Sequence, residues 1–182
     1  NFKNFFIINP DAQCTPNLIY NLSRILNSNS QAGCISPKVL SMEDRVITYS
    51  GGIIDFKKGI VQHTVFTDNK YPEESYEVDS YTGCAVLFDV NAFVKAGMLN
   101  EDLFIYYDEA DSSIKLKQTN AKILYAPSLE VYHDTSFTMR KISYLKTYYT
   151  SRNKFIVFNS NMSLFNKLYF VGYQLAHHLK NG

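Results

Sequence analysis

The sequence predicts an α/β domain, a mixed sheet flanked by helices that ends in a helical C-terminal tail. Short apolar runs bounded by turn residues alternate with segments whose apolar residues recur at helical spacing. The composition, 46% hydrophobic and 19% charged, is that of an ordinary globular chain and argues against disorder. At 182 residues one domain with a sizeable core is expected.

The elements follow in order. "NFFIIN" reads as a buried strand that stops at the turn Asn9-Pro10-Asp11. In "TPNLIYNLSRILNSNS", Thr15 is a candidate N-cap and Pro16 suits the first helical position. Leu18, Ile19, Leu22, Ile25 and Leu26 then share one helical face. The opening is thus strand, acidic turn, helix, and ligands of open α/β sheets bind at such carboxyl ends of strands. "GCISPKVL" reads as a strand. Residues 41 to 79 show no firm period and are expected to form a long loop with short hairpin strands, a kind of segment that often carries substrate contacts. "GCAVLFD" is the next strand. Asp89 can cap "VNAFVKAG", which Gly97 closes. "LFIYY" leads into a helix expected from about Glu109 to Thr119, with Asp111 and Lys115 as a favourable i,i+4 pair and Asn120 as a left-handed cap. "AKILYAP" and "LEVYHD" read as two further strands. From Met139 onward the chain reads as mostly helix, broken near "NSNMS".

The net charge of +1 is unevenly spread. All seventeen acidic side chains lie before Ser136, whereas residues 136 to 182 carry Arg140, Lys141, Lys146, Arg152, Lys154, Lys167 and Lys180. We divide the chain accordingly into an acidic body, 1–135, and a basic, aromatic-rich helical tail, 136–182. Such a tail suits an anionic membrane surface, and it equally suits a solvated helix face. Cys14, Cys34 and Cys84 form no CxxC pair and leave an odd thiol. A reduced cytoplasmic setting with buried thiols is expected, with peripheral attachment at the inner face of the membrane where the tail binds lipid. No signal peptide opens the chain and no apolar run is long enough to span a bilayer. The first residue is not Met and "FFIINPD" reads as a strand already in progress, so both ends are expected to be cut from a longer protein.

Four clusters bear on chemistry: "NPDA" at 9–12, "YTGCAVLF" at 81–88, "YYDEADSSIKL" at 106–116 and "APSLEVYHD" at 126–134, the last followed by "YYTSRNK". Each alone is weak, because Asn-Pro-Asp is a common turn and a lone His after a strand is usually structural. Acids at a helix start are favoured by the dipole in any case. Their order and spacing together resemble the family-2 type of inverting nucleotide-sugar glycosyltransferases, particularly the rhamnosyltransferase-like branch found in bacterial polysaccharide biosynthesis. The resemblance rests on Asn9-Pro10-Asp11, Thr82-Gly83, Gly97 to Glu101, Tyr107 to Asp111, Pro127, His133 and Arg152-Asn153. It covers nearly the whole chain but only the second half of such an enzyme; the half that normally holds the nucleotide base would precede Asn1.

That resemblance implies a partial GT-A (nucleotide-diphospho-sugar transferase) fold and transfer of a sugar from a nucleotide-sugar donor to a glycan or lipid-linked acceptor. Asp11 resembles the last acid of the family's Asp-x-Asp motif, with Asn9 in its first position, and implies a divalent metal, Mn²⁺ or Mg²⁺. His133 resembles a histidine near that metal, and a ligand role there would favour Mn²⁺. Asp108 and Glu109 correspond to the family's Glu-Asp pair with the acids swapped. Glu109 is therefore the expected general base and Asp108 its substitute, while Asp111 suits a structural role. Asn9, Thr82, Gly83, Tyr107 and Arg152 fall at substrate-binding positions, Gly83 allowing close backbone approach. The chain departs from the family at Met98-Leu99-Asn100, and at Lys115, a point charge where the family has a guanidinium fork. The missing half and the swapped acids also fit a non-catalytic remnant acting as a partner or scaffold. The tail alone would fit a membrane-surface binding module. No nucleic-acid reader motif is present.

Overall fold

The computed structural model describes residues 2–64, 73–134 and 143–181, with side chains to residue 176. Nine strands and five helices appear among the described residues: β1 (Asn4–Ile8), β2 (Ala12–Cys14), α1 (Leu18–Ser28), β3 (Ala32–Ser41), β4 (Ile47–Tyr49), β5 (Gly52–Asp55), β6 (Ile60–His63), β7 (Tyr76–Val78), β8 (Ala85–Asp89), α2 (Val90–Lys95), α3 (Asp108–Gln118), β9 (Lys122–His133), α4 (Ser143–Asn161) and α5 (Leu164–Asn181). Seven strands form one mixed sheet with the central order β1-β8-β3-β9-β2, β4 pairing with β3 and β7 with β9. β5 and β6 form a separate hairpin. The expected α/β class and the short strands within 41–79 are both present.

Period-two alternation sends successive side chains to opposite faces of the sheet. Along β1, Phe6 and Ile8 pack on one side and Phe5 and Ile7 on the other; along β8, Ala85 and Leu87 oppose Val86 and Phe88. The first side is covered by α1 through Leu18, Leu22 and Leu26. The second is covered by α2 and α3 through Ala92, Phe93 and Leu116. A third cluster joins the hairpin, α3 and the two C-terminal helices through Ile54, Ala110, Ile114, Val157, Phe158 and Phe170. Gly59 turns the hairpin at φ 64°, and a Cβ there would strike the Phe170 ring, so this glycine admits α5 onto the hairpin.

Several local expectations are corrected. The helix at α1 starts at Leu18, preceded by Asn17 in the left-handed conformation, and no side chain caps it. Thr15 instead donates its hydroxyl to the Glu130 carbonyl at 3.0 Å, tying the helix entry to β9. Ile19 lies half exposed, because the buried stripe follows Leu18, Leu22 and Leu26 at i,i+4 spacing. "AKILYAP" and "LEVYHD" form one twelve-residue strand, β9. Pro127 is accommodated because the pairing with β3 shifts there: Pro37 faces Ala126 and Lys38 faces Glu130, which leaves 127–129 outside the ladder. The cysteines are free, but only Cys34 and Cys84 are buried; Cys14 is exposed on an outer strand. Asp89 caps α2 by accepting from the Ala92 amide at 2.9 Å, Gly97 turns at φ 88° and Asn120 at φ 62°, as expected. The break in the C-terminal helices falls at 162–163. Residues 139–142, with Arg140 and Lys141, and the Lys180 side chain lie outside the described residues.

Candidate functional site

β1, β3 and β9 run in the same direction and β8 runs against them, so the ends of β1 and β9 and the start of β8 meet at one end of the sheet. This is where open α/β sheets bind ligands. Asn9 leaves β1 with its amide donating to the Cys84 carbonyl at 2.9 Å. Two residues on, Asp11 precedes β2, whose Ala12 pairs with His133. The Asp134 amide donates to the Asp11 carbonyl, and the Met42 amide to the His133 carbonyl. His133 Nε2 consequently lies 3.1 Å from Asp11 Oδ1 and 3.3 Å from Asn9 Nδ2. Asn9 and Asp11 thus share one hydrogen-bonded group with His133, more than a hundred residues further along the sequence.

Thr82 and Gly83 line the adjoining start of β8. The Thr82 hydroxyl accepts from the Cys84 amide at 3.2 Å. A Cβ added at Gly83 would meet no protein atom within 4 Å, so its backbone faces open space. Tyr81, one residue earlier, is buried, and its phenol is held well above the usual range by burial, with Asp108 and Glu109 among the charges that raise it. The segment 81–83 therefore links the Asp11 group to the acids of α3.

Those acids occupy the first turn of α3. The helix runs antiparallel to β9 and packs on it, which returns its N-terminus toward the His133 end of the sheet. The turn before it is strained: Tyr106 and Tyr107 both adopt φ 66°, a left-handed conformation costing about 1–2 kcal/mol for each non-glycine residue. Asn153 of α4 holds that turn. It is fully buried, and its Nδ2 donates to the carbonyls of Ile105 and Tyr106 at 2.8 and 2.9 Å. Its Oδ1 accepts from Arg152 Nη1 at 2.7 Å, and the same Nη1 reaches the Asp102 carbonyl at 2.9 Å. Arg152, expected at a substrate position, is thus found bracing the loop that leads into α3. Tyr107 sets its ring against Phe158, with centroids 6.2 Å apart.

Glu109 is half-buried and faces Asp108. Burial, then the neighbouring Asp108 charge and hydrogen bond, push its carboxyl up to about 8. The pair therefore holds a proton near neutrality, and Glu109 is poised to exchange it. Asp111 is buried and pairs with Lys115 at 2.6 Å, in keeping with its structural assignment. Among the described residues no group of three His, Cys, Asp or Glu side chains is arranged to hold a metal ion; Asp11 and His133 form a pair of such groups.

Two contributors escaped the sequence reading. Asn153 was visible only as half of Arg152-Asn153, yet it lies one turn before Val157 on a buried helical face, a place where a polar residue must have partners. Tyr81 carried no pattern of its own.

This architecture is a GT-A type glycosyltransferase fold. Among solved structures the chain matches the crystal structure of GalNAc-T7 with UDP, GalNAc and Mn²⁺, with TM-score 0.58 and 17% identity over 72% of this chain and 27% of that one. Among curated proteins it is 23% identical over 167 residues to the low-salt glycan biosynthesis hexosyltransferase Agl10 of Haloferax volcanii. That alignment covers 90% of this chain and 53% of the relative, so the chain spans about half the relative's length. No protein-family model matches the chain. In sequence and fold the chain is glycosyltransferase-like.

Proposed function

We propose that this chain is the acceptor-side part of an inverting nucleotide-sugar glycosyltransferase, transferring a sugar of the hexosyl or rhamnosyl type to a glycan or lipid-linked acceptor. The carrying observation is that the segment 81–84 joins two acid-bearing groups: Asn9, beside Asp11 and His133, bonds to the Cys84 carbonyl, and Tyr81 lies under the influence of the Asp108 and Glu109 charges. The hexosyltransferase relative and a neighbour crystallised with UDP and Mn²⁺ support this reading. Family-2 membership and inversion rest on the motif order alone.

The donor set suits a divalent cation. A carboxylate and an imidazole on paired strands lie 3.1 Å apart, and such a mixed O,N pair favours Mn²⁺ over Mg²⁺. Asp11 and His133 would hold the ion, which when bound offsets charge on the leaving diphosphate. Asn9 lies beside these two residues, its Nδ2 3.3 Å from His133 Nε2, at a position for contact with substrate. Thr82 and Gly83 bound the space beside the donor sugar. Glu109 takes the proton of the acceptor hydroxyl as its oxygen bonds to the anomeric carbon and the bond to the diphosphate breaks. The neighbouring Asp108 charge, with burial, raises the proton affinity of Glu109 and so makes its ionised form the stronger base. Tyr107 and Arg152 shape the acceptor side by fixing the turn before α3.

The test is calorimetric titration of the longest natural chain with Mn²⁺ and a panel of nucleoside diphosphates, beside Asp11→Ala. Metal-dependent binding lost in Asp11→Ala is the expected result. The 182 residues alone are expected to bind nucleotide weakly and turn over little. Absence of binding in the longest form would instead favour a non-catalytic, glycosyltransferase-like partner.

A further inference from the structure

The outward faces of α4 and α5 are apolar where a solvated surface should be polar. On α5, Leu164, Leu168, Val171 and Leu175 follow i, i+4, i+7, i+11 spacing and are 76, 69, 45 and 61% exposed. Phe170, further round the helix, is buried in the core. On α4, Tyr144, Tyr148 and Phe155 form a parallel exposed stripe. A groove of about 290 Å³ joins the two, with Phe155 on one wall and Val171 and Leu175 on the other. Single exposed apolar residues need no explanation, but a continuous stripe across two helices marks an interaction surface.

Charge says what kind. Among the described residues the ion pairs of lysines all lie in the body: Lys38–Glu130, Lys58–Asp55, Lys115–Asp111, Lys117–Asp79 and Lys122–Glu77. No salt bridge among the described residues involves Lys146, Lys154 or Lys167, and residues 136–182 hold no acid to supply one. Lys154 lines the groove, and Lys167 precedes Leu168 at the edge of the stripe. Desolvation holds the Lys154 ammonium below the usual lysine range, so an external anion there would recover lost stabilisation. Tyr and Leu with flanking Lys, and no acid, are the composition of a helix lying in a bilayer interface, where lysine stems run along the apolar surface and their heads reach phosphates. No helix among the described residues is long and apolar enough to cross a membrane.

We propose that the outward face of α4 and α5 docks on an anionic lipid bilayer, with Leu164, Leu168, Val171 and Leu175 entering the interface and Lys154 and Lys167 meeting headgroup phosphates. The opposite face of α4 carries Asn153, which holds the turn before α3, so docking would fix the candidate acceptor side relative to the lipid surface. The membrane assignment itself stands on the two helices and does not depend on the transferase reading.

The test uses the longest natural chain with Cys14→Ser and Leu168→Cys, labelled with a polarity-sensitive fluorophore; Cys34 and Cys84 are buried. Vesicles are phosphatidylcholine alone or with one-third phosphatidylglycerol. Co-sedimentation and a blue shift with the anionic vesicles only, suppressed by salt, are expected. Lys154→Gln and Lys167→Gln should each weaken binding about fivefold, and Leu164→Ser with Leu175→Ser about tenfold or more. No shift with anionic vesicles overturns the proposal, as does binding that the lysine variants leave unchanged. A lipid-independent shift that grows with protein concentration also overturns it and assigns the face to a second copy. Mn²⁺ titration of the same variants reports separately on the candidate catalytic site.

Discussion

Asp11 and Glu109 are carboxylates brought to the same end of one sheet, but they are held in opposite ways. Asp11 sits between two strands, and the ladders of β2 and β9 fix its backbone. Its neighbour is an imidazole 3.1 Å away. Glu109 opens a helix after two left-handed tyrosines, and a single buried asparagine from a distant helix secures that turn. Its neighbour is another carboxyl, and burial drives it up to about 8. A carboxylate beside an imidazole and a carboxyl beside a carboxyl suit the two tasks proposed for them: the first the holding of a cation, the second the moving of a proton.

The sharpest way to break this comparison is to exchange each acid. Glu109→Gln is expected to reduce transfer by roughly 10²–10⁴-fold while leaving Mn²⁺ binding intact. Asp11→Ala should abolish Mn²⁺ binding in calorimetry. If both variants lose the metal, the two groups form a single cation site and the division of labour fails.

Next in size is the support of the helix start. Asn153→Ala removes both bonds from the buried Nδ2 to the carbonyls of Ile105 and Tyr106 and should destabilise the chain by about 2 kcal/mol in urea unfolding. Amide exchange should rise most at Asp108–Asp111 and least in β1 and β9. A uniform rise would mean that the turn is not separately braced.

The proton on Glu109 has its own signature. A carboxyl whose folded pKa lies above its unfolded value binds more protons in the native state across the interval between them. Stability should therefore fall as pH rises from about 4.5 to about 8. Glu109→Gln should flatten that slope and be the more stable form at pH 8 in denaturant titrations. An unchanged slope would place the proton elsewhere. The smallest expected effect is that of His133→Gln, a weakening of Mn²⁺ affinity of about tenfold with the sheet unperturbed, read by calorimetry and circular dichroism.

Much of the architecture was legible because it is local. The apolar runs at β1, β3 and β8, the Asp89 cap, the Gly97 and Asn120 turns, the Asp111–Lys115 pair and the helix break at 162–163 each depend on residues within one or two turns of chain. The misreadings were tertiary. Pro127 argued for a strand end, yet the shifted register with β3 carries β9 through it. Thr15 had a capping residue's identity, but the Glu130 carbonyl was a nearer partner.

The sequence by itself determined the α/β class, the acidic helix start, the basic acid-free tail and the order of the motifs, because spacing and charge are properties of the chain. Only the tertiary structure decided that Asn9, Asp11 and His133 form one hydrogen-bonded group and that Asn153 secures the turn before Glu109. It also decided that the tail turns an apolar face outward. These depend on strand register, burial and helix packing, which bring together groups separated by scores of residues and set the local dielectric that decides where a proton rests.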